Sequence, residues 1–252
     1  MRRLFATLLI AVLVGGPAAR AQVASDSTVF RPASLIAPGL LMGSGVAIHC
    51  FAHESIDVPF NTWVQEKWRG DRPELGFDNL IQYVPLAMDL GLGLAGVPAE
   101  NGFVDRIIEG SLGGIVLGTV SWTMKKVIDS PRPNGRDSRS FPSGHTDWVF
   151  FGAELVRLEY GWGWGAGAYA VATTVAVMRN YNNWHWLSDV LMGAGLGIVT
   201  ADIGRYLLAP TKRLLGIRTT SWGSGRTAVQ AVVAPSVDPL SGTLCTTLAL
   251  RF

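Results

Sequence analysis

Two histidines, three cations and one carboxylate stand in a fixed order between residues 125 and 189, in a chain with only four histidines. The first group is Lys125 with Arg132 and Pro133, the second Pro142-Ser143-Gly144-His145, the third Arg179, His185 and Asp189. A carboxylate bonded to one imidazole nitrogen fixes the tautomer and leaves the other nitrogen free to attack. Guanidinium and ammonium groups neutralise the oxygens of a phosphate, and phosphoryl transfer asks mainly for positioning and charge neutralisation. This inventory is sufficient to hold a phosphate and pass it through a histidine without a metal.

Each group has a plainer reading when taken alone. A helix over residues 180–201 would place His185 and Asp189 on one face, because positions i and i+4 are neighbours there. A lone pair at that spacing usually makes a structural bond. Arg179 falls just before that expected helix, and its planar fork suits two phosphate oxygens. Ser143 reads as the N-cap of a helix from Gly144 to about Tyr160. Its backbone N–H groups and dipole end would face an anion, and Gly144 lets the backbone come close. His145, in the first turn, can protonate a departing oxygen, although a Pro-Ser-Gly triplet by itself is only a helix cap. Lysine at a helix end is ordinarily a membrane-edge charge, a reading that suits Lys126 better than Lys125. Arg132 sits between two prolines on a stiff segment, and Arg136 and Arg139 read as solvated loop charges.

These residues must be carried by mostly apolar helices. Residues 32–53 hold no Asp, Glu, Lys or Arg, a run long enough to cross a bilayer. Residues 56–69 carry Phe60, Trp63, Val64 and Trp68 at helical spacing among charges, which suits an interfacial or a surface helix. Apolar segments follow at 79–97 and 103–128, a loop at 129–141, then 144–160, an uncharged run over 160–178, and 180–201. Six helical segments are thus expected, with glycines clustered on them as in helices packed closely in lipid. Trp162, Trp164, Trp184 and Trp186 flank apolar runs as interfacial anchors do, or line a pocket mouth. The tail alternates Leu244, Thr246, Leu248, Leu250 and Phe252 with other residues, a strand pattern that predicts a small hairpin with residues 227–235.

Composition agrees with a membrane setting. The 252 residues are 48% hydrophobic and 16% charged, against roughly 25% charged in ordinary soluble domains, and mean hydropathy is +0.28. Arg2 and Arg3, an apolar run and Ala19-Arg20-Ala21 read as a secretory signal cleaved after Ala21. Its removal takes away three arginines and turns the net charge of +2 to about −1, so no nucleic-acid partner is expected. The organisation expected is a signal peptide at 1–21, a helical phosphatase domain at 22–212 and a tail at 213–252. Cys50 and Cys245 could pair in an exported chain, but a buried free thiol is the blander reading of Cys50. His49 and His53 stand four apart before Glu54 without a clear third ligand, and read as a helix end near the interface. No metal or other cofactor is expected.

Together the three groups resemble the motifs of the type 2 phosphatidic acid phosphatase (PAP2) superfamily, in its membrane-associated bacterial branch. That superfamily also includes bacterial acid phosphatases and vanadium haloperoxidases. The resemblance implies an all-α, six-helix membrane-associated bundle, here with a small C-terminal β-hairpin. It implies His185 as the nucleophile, Asp189 as its orienting partner and His145 as the acid for the leaving alcohol. Lys125, Arg132, Ser143, Gly144 and Arg179 would hold the phosphate oxygens. One departure is that the third motif usually begins Ser-Arg, whereas Met178 precedes Arg179 here. The activity implied is hydrolysis of a lipid phosphate monoester or diphosphate through a phosphohistidine, without a metal and on the periplasmic side of a membrane. Its partners would be a lipid phosphate and the membrane, with the oligomeric state left open. The rivals are a vanadate-dependent haloperoxidase and a non-catalytic membrane protein that binds phosphate headgroups.

Overall fold

The computed structural model describes residues 32–217, 230–237 and 244–251. The 3-10 turn Pro32–Leu35 leads into α1 (Ile36–Phe51), and α2 (Val58–Trp63) lies between π-helical turns His53–Asp57 and Val64–Arg69. Then come α3 (Asp78–Ile81), α4 (Val84–Leu94), α5 (Phe103–Val127), α6 (Gly144–Tyr181) and α7 (Leu187–Leu215). β1 (Gln230–Val237) pairs antiparallel with β2 (Leu244–Arg251), Gln230 opposite Arg251. The residues of the expected signal, 1–21, lie outside the described residues.

Seven α-helical spans therefore replace the six expected among the described residues. Proline accounts for one division. Pro85 occupies the first turn of α4, where a missing N–H leaves no bond unmade, so α4 starts afresh after the short α3.

The 38 residues of α6 do not form a straight rod. Gly161 has φ 73° and ψ −174°, a conformation that glycine adopts without a Cβ penalty, and the arms 144–160 and 162–181 fold back on each other there. The Tyr169 hydroxyl donates to Glu154 at 2.6 Å, and the Phe150 and Tyr169 rings meet at 5.9 Å. This reversal returns Arg179 to the end of the bundle where His145 began.

α7 runs through the middle, packed on α1, α5 and α6. Close approach is needed where α7 meets the start of α6: a Cβ added at Gly193 would stand 2.8 Å from the Ser143 carbonyl oxygen. Apolar layers fill the remaining space, with Met88 against Val149, Ala153, Val156 and Val175, and Leu117 against Phe151, Leu155 and Leu196. The helical stretches Ala33–Phe51, Phe103–Val127 and Leu187–Leu215 are long and apolar enough to cross a membrane. α1 turns Ile36, Leu40 and Phe51 outward, and α5 turns out Ile115, Trp122 and Val127. Apolar outer faces around a polar-containing centre are what lipid selects, and the protein is membrane-associated.

Three local expectations are corrected. The helix expected over 180–201 does not start at residue 180: α6 continues through Tyr181, Asn183 takes φ 61° in the turn, and α7 spans Leu187–Leu215. Cys50 is a free thiol but an exposed one, on the outward side of α1. Segment 56–69 is split by its π-helical turns, with Asp57 and Val64 buried and Trp63 and Trp68 exposed.

Candidate active site

Four chain segments converge at one end of the bundle. Lys125 lies in the last turn of α5 and Arg132 in the following loop. Ser143, Gly144 and His145 open α6, and Arg179 sits in its last turn. His185 stands in the connection before α7, and Asp189 lies in the first turn of α7.

The pairing of His185 with Asp189 arises differently from the one-helix geometry expected. His185 precedes the helix, and Asp189 is the third residue within it. The backbone N–H of Trp186 donates to Asp189 Oδ2 at 2.9 Å, a capping contact that aims the carboxylate back along the chain. The same oxygen faces His185 Nδ1 at 3.3 Å. Ser140 completes the group: its hydroxyl donates to Asp189 Oδ2 and lies 3.3 Å from His185 Nδ1. Asn180 holds the His185 carbonyl at 2.9 Å. With Nδ1 engaged, Nε2 is directed toward Arg132, 3.5 Å from its guanidinium.

Trp184 forms a floor for the cations. The guanidiniums of Arg132 and Arg179 each lie 5.4 Å from its ring centroid. Arg136, an exposed loop charge as expected, lies 4.3 Å from the centroid of that indole. Trp184 thus sits among the site's cations, in line with the second of the two readings its sequence position left open. Arg132 also pairs with Asp137 at 2.8 Å, and Arg179 with buried Asp78 at 2.6 Å. Lys125 donates to the carbonyls of Pro142 and, at 3.2 Å, of Arg139, which draws the end of α5 onto the second motif. A Cβ at Gly144 would lie 3.8 Å from Lys125 Cε.

Ser143 takes the N-cap position of α6 as expected, but its side chain makes no capping bond. Its buried oxygen accepts from the Thr146 hydroxyl at 2.9 Å, and its N–H donates to the Asp189 carbonyl at 3.1 Å. His145 is half-buried, with Nε2 2.8 Å from Asn79 Oδ1. Contacts, some of them through Asp78, Asn79 and Trp184, thus link the candidate residues at one end of the bundle.

Electrostatics follow from this crowding. Burial first, then the field of Arg179, Arg132, Lys125 and His145, holds His185 well below its ordinary value near 6.5. His145, in the first turn of α6 and outside the three span-length stretches, is pushed down to about 4. Burial is again the largest cause, followed by Arg179, with Asp78 opposing. Both rings are therefore neutral near pH 7. A phosphate bound among these cations reverses part of that field.

Several contributors escaped the motif reading. Asp78, Asn79, Ser140 and Asn180 lie outside it, and only Ser140 left a signal, three residues before Ser143 on the same stiff segment. His49 and His53 serve the surroundings: the His49 ring stacks on Phe141 at 4.4 Å, and His53 Nδ1 meets Asp57 at 3.0 Å. Asp57 in turn accepts from the N–H and hydroxyl of Ser188 at 3.0 and 2.6 Å, securing the start of α7.

Residues 114–210 match the model of the PAP2 superfamily. Over that segment the chain is similar to the PAP2 superfamily. The segment contains all eight candidate residues, from Lys125 to Asp189. A lipid A 1-phosphatase of Porphyromonas gingivalis is 36% identical over 137 residues, which cover 52% of this chain and 30% of that protein. The chain therefore spans less than a third of the length of this curated relative. The crystal structure of Aquifex aeolicus LpxE aligns with a TM-score of 0.47 at 19% identity, over 59% of this chain and 93% of that one. A PAP2-type phosphatidylglycerolphosphate phosphatase from Bacillus subtilis aligns with a TM-score of 0.47 at 21% identity, over 76% of this chain and all of that one.

Proposed function

We propose that this protein is a member of the PAP2 superfamily and a lipid phosphatase that removes a phosphate from a phosphorylated lipid through a phosphohistidine. The observation that carries the reading is the orientation of His185. Its Nδ1 is engaged by Asp189 and its Nε2 is turned toward the guanidinium of Arg132. Nε2 attacks phosphorus, and the P–O bond to the leaving alcohol breaks. His145 supplies the proton that the alcohol carries away. Water then attacks the phosphohistidine, giving its proton to His145, and inorganic phosphate leaves with His185 restored.

Lys125, Arg132 and Arg179, with the N-terminus of α6, spread the developing negative charge. They serve the purpose that a divalent cation serves in other phosphoryl transfers, so the chemistry runs without one. The site lies at a helix-bundle end, and the proposal places that end on the periplasmic side of the membrane, where a lipid headgroup meets water; the signal-like pattern at 1–21 supports this reading. The domain organisation 1–21, 22–212 and 213–252 is part of the same proposal.

Among candidate substrates, a lipid A 1-phosphate comes first because of the curated relative, followed by phosphatidylglycerophosphate, phosphatidate and undecaprenyl diphosphate. The test is phosphate release by the purified, detergent-solubilised chain from a panel of these lipids, with and without EDTA. Release that EDTA leaves unchanged is expected. Release abolished by EDTA and restored by a divalent ion would defeat the metal-free step, and no release from any lipid would defeat the reading.

A further inference from the structure

We infer that Asn79 is the positioning residue for His145, holding its ring as Asp189 holds that of His185. This role rests on the phosphatase reading above and assigns part of the site to α3, outside the three motifs. An amide oxygen only accepts, so the 2.8 Å contact means that His145 Nε2 carries the hydrogen and donates it to Asn79 Oδ1. The ring is then fixed at one nitrogen, leaving Nδ1 as the atom that gains and gives a proton.

The segment bearing Asn79 is itself secured. Its neighbour Asp78 is buried in the ion pair with Arg179 at 2.6 Å. Upstream, Leu75 and Asn182 exchange two hydrogen bonds, the Leu75 N–H donating at 2.9 Å and the Asn182 amide at 2.8 Å. Asn79 is exposed and belongs to no apolar core cluster, so its side chain is not needed to fill the bundle.

The choice of an amide has a chemical reason. The two histidines have opposite duties: His185 must be a strong nucleophile, and His145 a ready proton donor. A carboxylate partner steadies the imidazolium and makes a ring more basic. An amide partner orients the ring while leaving it a better acid. The charged and titratable groups around His145 are Lys125 from α5, Arg132 from the loop, Asp78 from α3, Arg179 from the end of α6, and His185. Among these Asp78 is the one acid, so a carboxylate at position 79 would add a second.

Leaving-group dependence separates this role from a merely structural one, because a good leaving group departs without a proton. The full-length chain in detergent is assayed with dodecyl phosphate, whose alkoxide is a poor leaving group, and with p-nitrophenyl phosphate, whose phenolate is a good one. Asn79→Ala is expected to lower kcat/KM, which reports the steps up to departure of the alcohol, about tenfold on dodecyl phosphate and to leave kcat/KM on p-nitrophenyl phosphate within about threefold. Asn79→Asp is expected to move the alkaline limb of kcat/KM up by about one pH unit, because the added carboxylate keeps the proton on His145. Equal effects on both substrates, no effect on either, or an unmoved alkaline limb in Asn79→Asp would overturn the role. A wild-type chain that releases phosphate from neither substrate would defeat the phosphatase reading and this role with it.

Discussion

Ser140 donates its hydroxyl hydrogen to the same oxygen of Asp189 that faces the ring of His185. The carboxylate is thus aimed by a loop residue in addition to its own helix. Hydrogen bonds to a charged group contribute about 1.5–3 kcal/mol. Ser140→Ala is expected to lower kcat by about ten- to a hundred-fold, while circular dichroism and the thermal midpoint stay near those of the parent. A variant with full activity would show that Asp189 needs no help from Ser140.

His185→Asn is expected to abolish turnover. Asparagine keeps a polar group in the buried position but offers no nitrogen able to form and release a phosphoryl bond. Single-turnover phosphate release on the best lipid substrate checks this, and substantial remaining release would contradict the nucleophile assignment.

Met178→Ser restores the residue usual before the motif arginine, and activity is expected to change only a few-fold. Met178 is buried, so the smaller polar side chain leaves a void, and the thermal midpoint is expected to fall. A loss of several orders of magnitude in kcat at unchanged midpoint would mean that Met178 supports Arg179 directly.

The pH profile follows from the two rings. On the proposed mechanism His185 attacks as the neutral ring, so activity rises with pH through its pKa, which burial and the nearby cations hold well below 6.5. On the same mechanism His145 must carry a proton, so activity falls as pH rises through its pKa, about 4 without bound phosphate. A bound phosphate offsets the surrounding cations and raises both values. A bell-shaped profile is therefore expected, with the alkaline limb of kcat at higher pH than that of kcat/KM. Coincident limbs, or a flat profile between about pH 4 and 9, would remove the opposed protonation states.

The motif spacing made most of this site legible before any coordinates. Three short groups implied eight residues, and the structure brings all eight to one end of the bundle. The helical start at Gly144 was also readable, because a Pro-Ser-Gly sequence before an apolar run is a strong local signal. The start of α7 was not, since residues 180–186 carry no proline or glycine, and the turn depends on Asn183 adopting a positive φ. Asp78 and Asn79 were illegible for another reason. Their partners lie 101 and 66 residues away, and one polar pair on a short turn has no periodicity to mark it. Trp184 stayed open between a membrane anchor and a pocket-mouth residue, because its contacts are with three arginines that only the fold gathers.

The ion pair of Asp78 with Arg179 also bears on the end of each catalytic cycle. A cluster of bare cations would retain inorganic phosphate as firmly as it seizes substrate. An internal carboxylate ready to reclaim one guanidinium weakens that grip once the ester bond is gone. On the proposed mechanism Asp78 would take back Arg179 as inorganic phosphate leaves, so that guanidinium would not be left uncompensated.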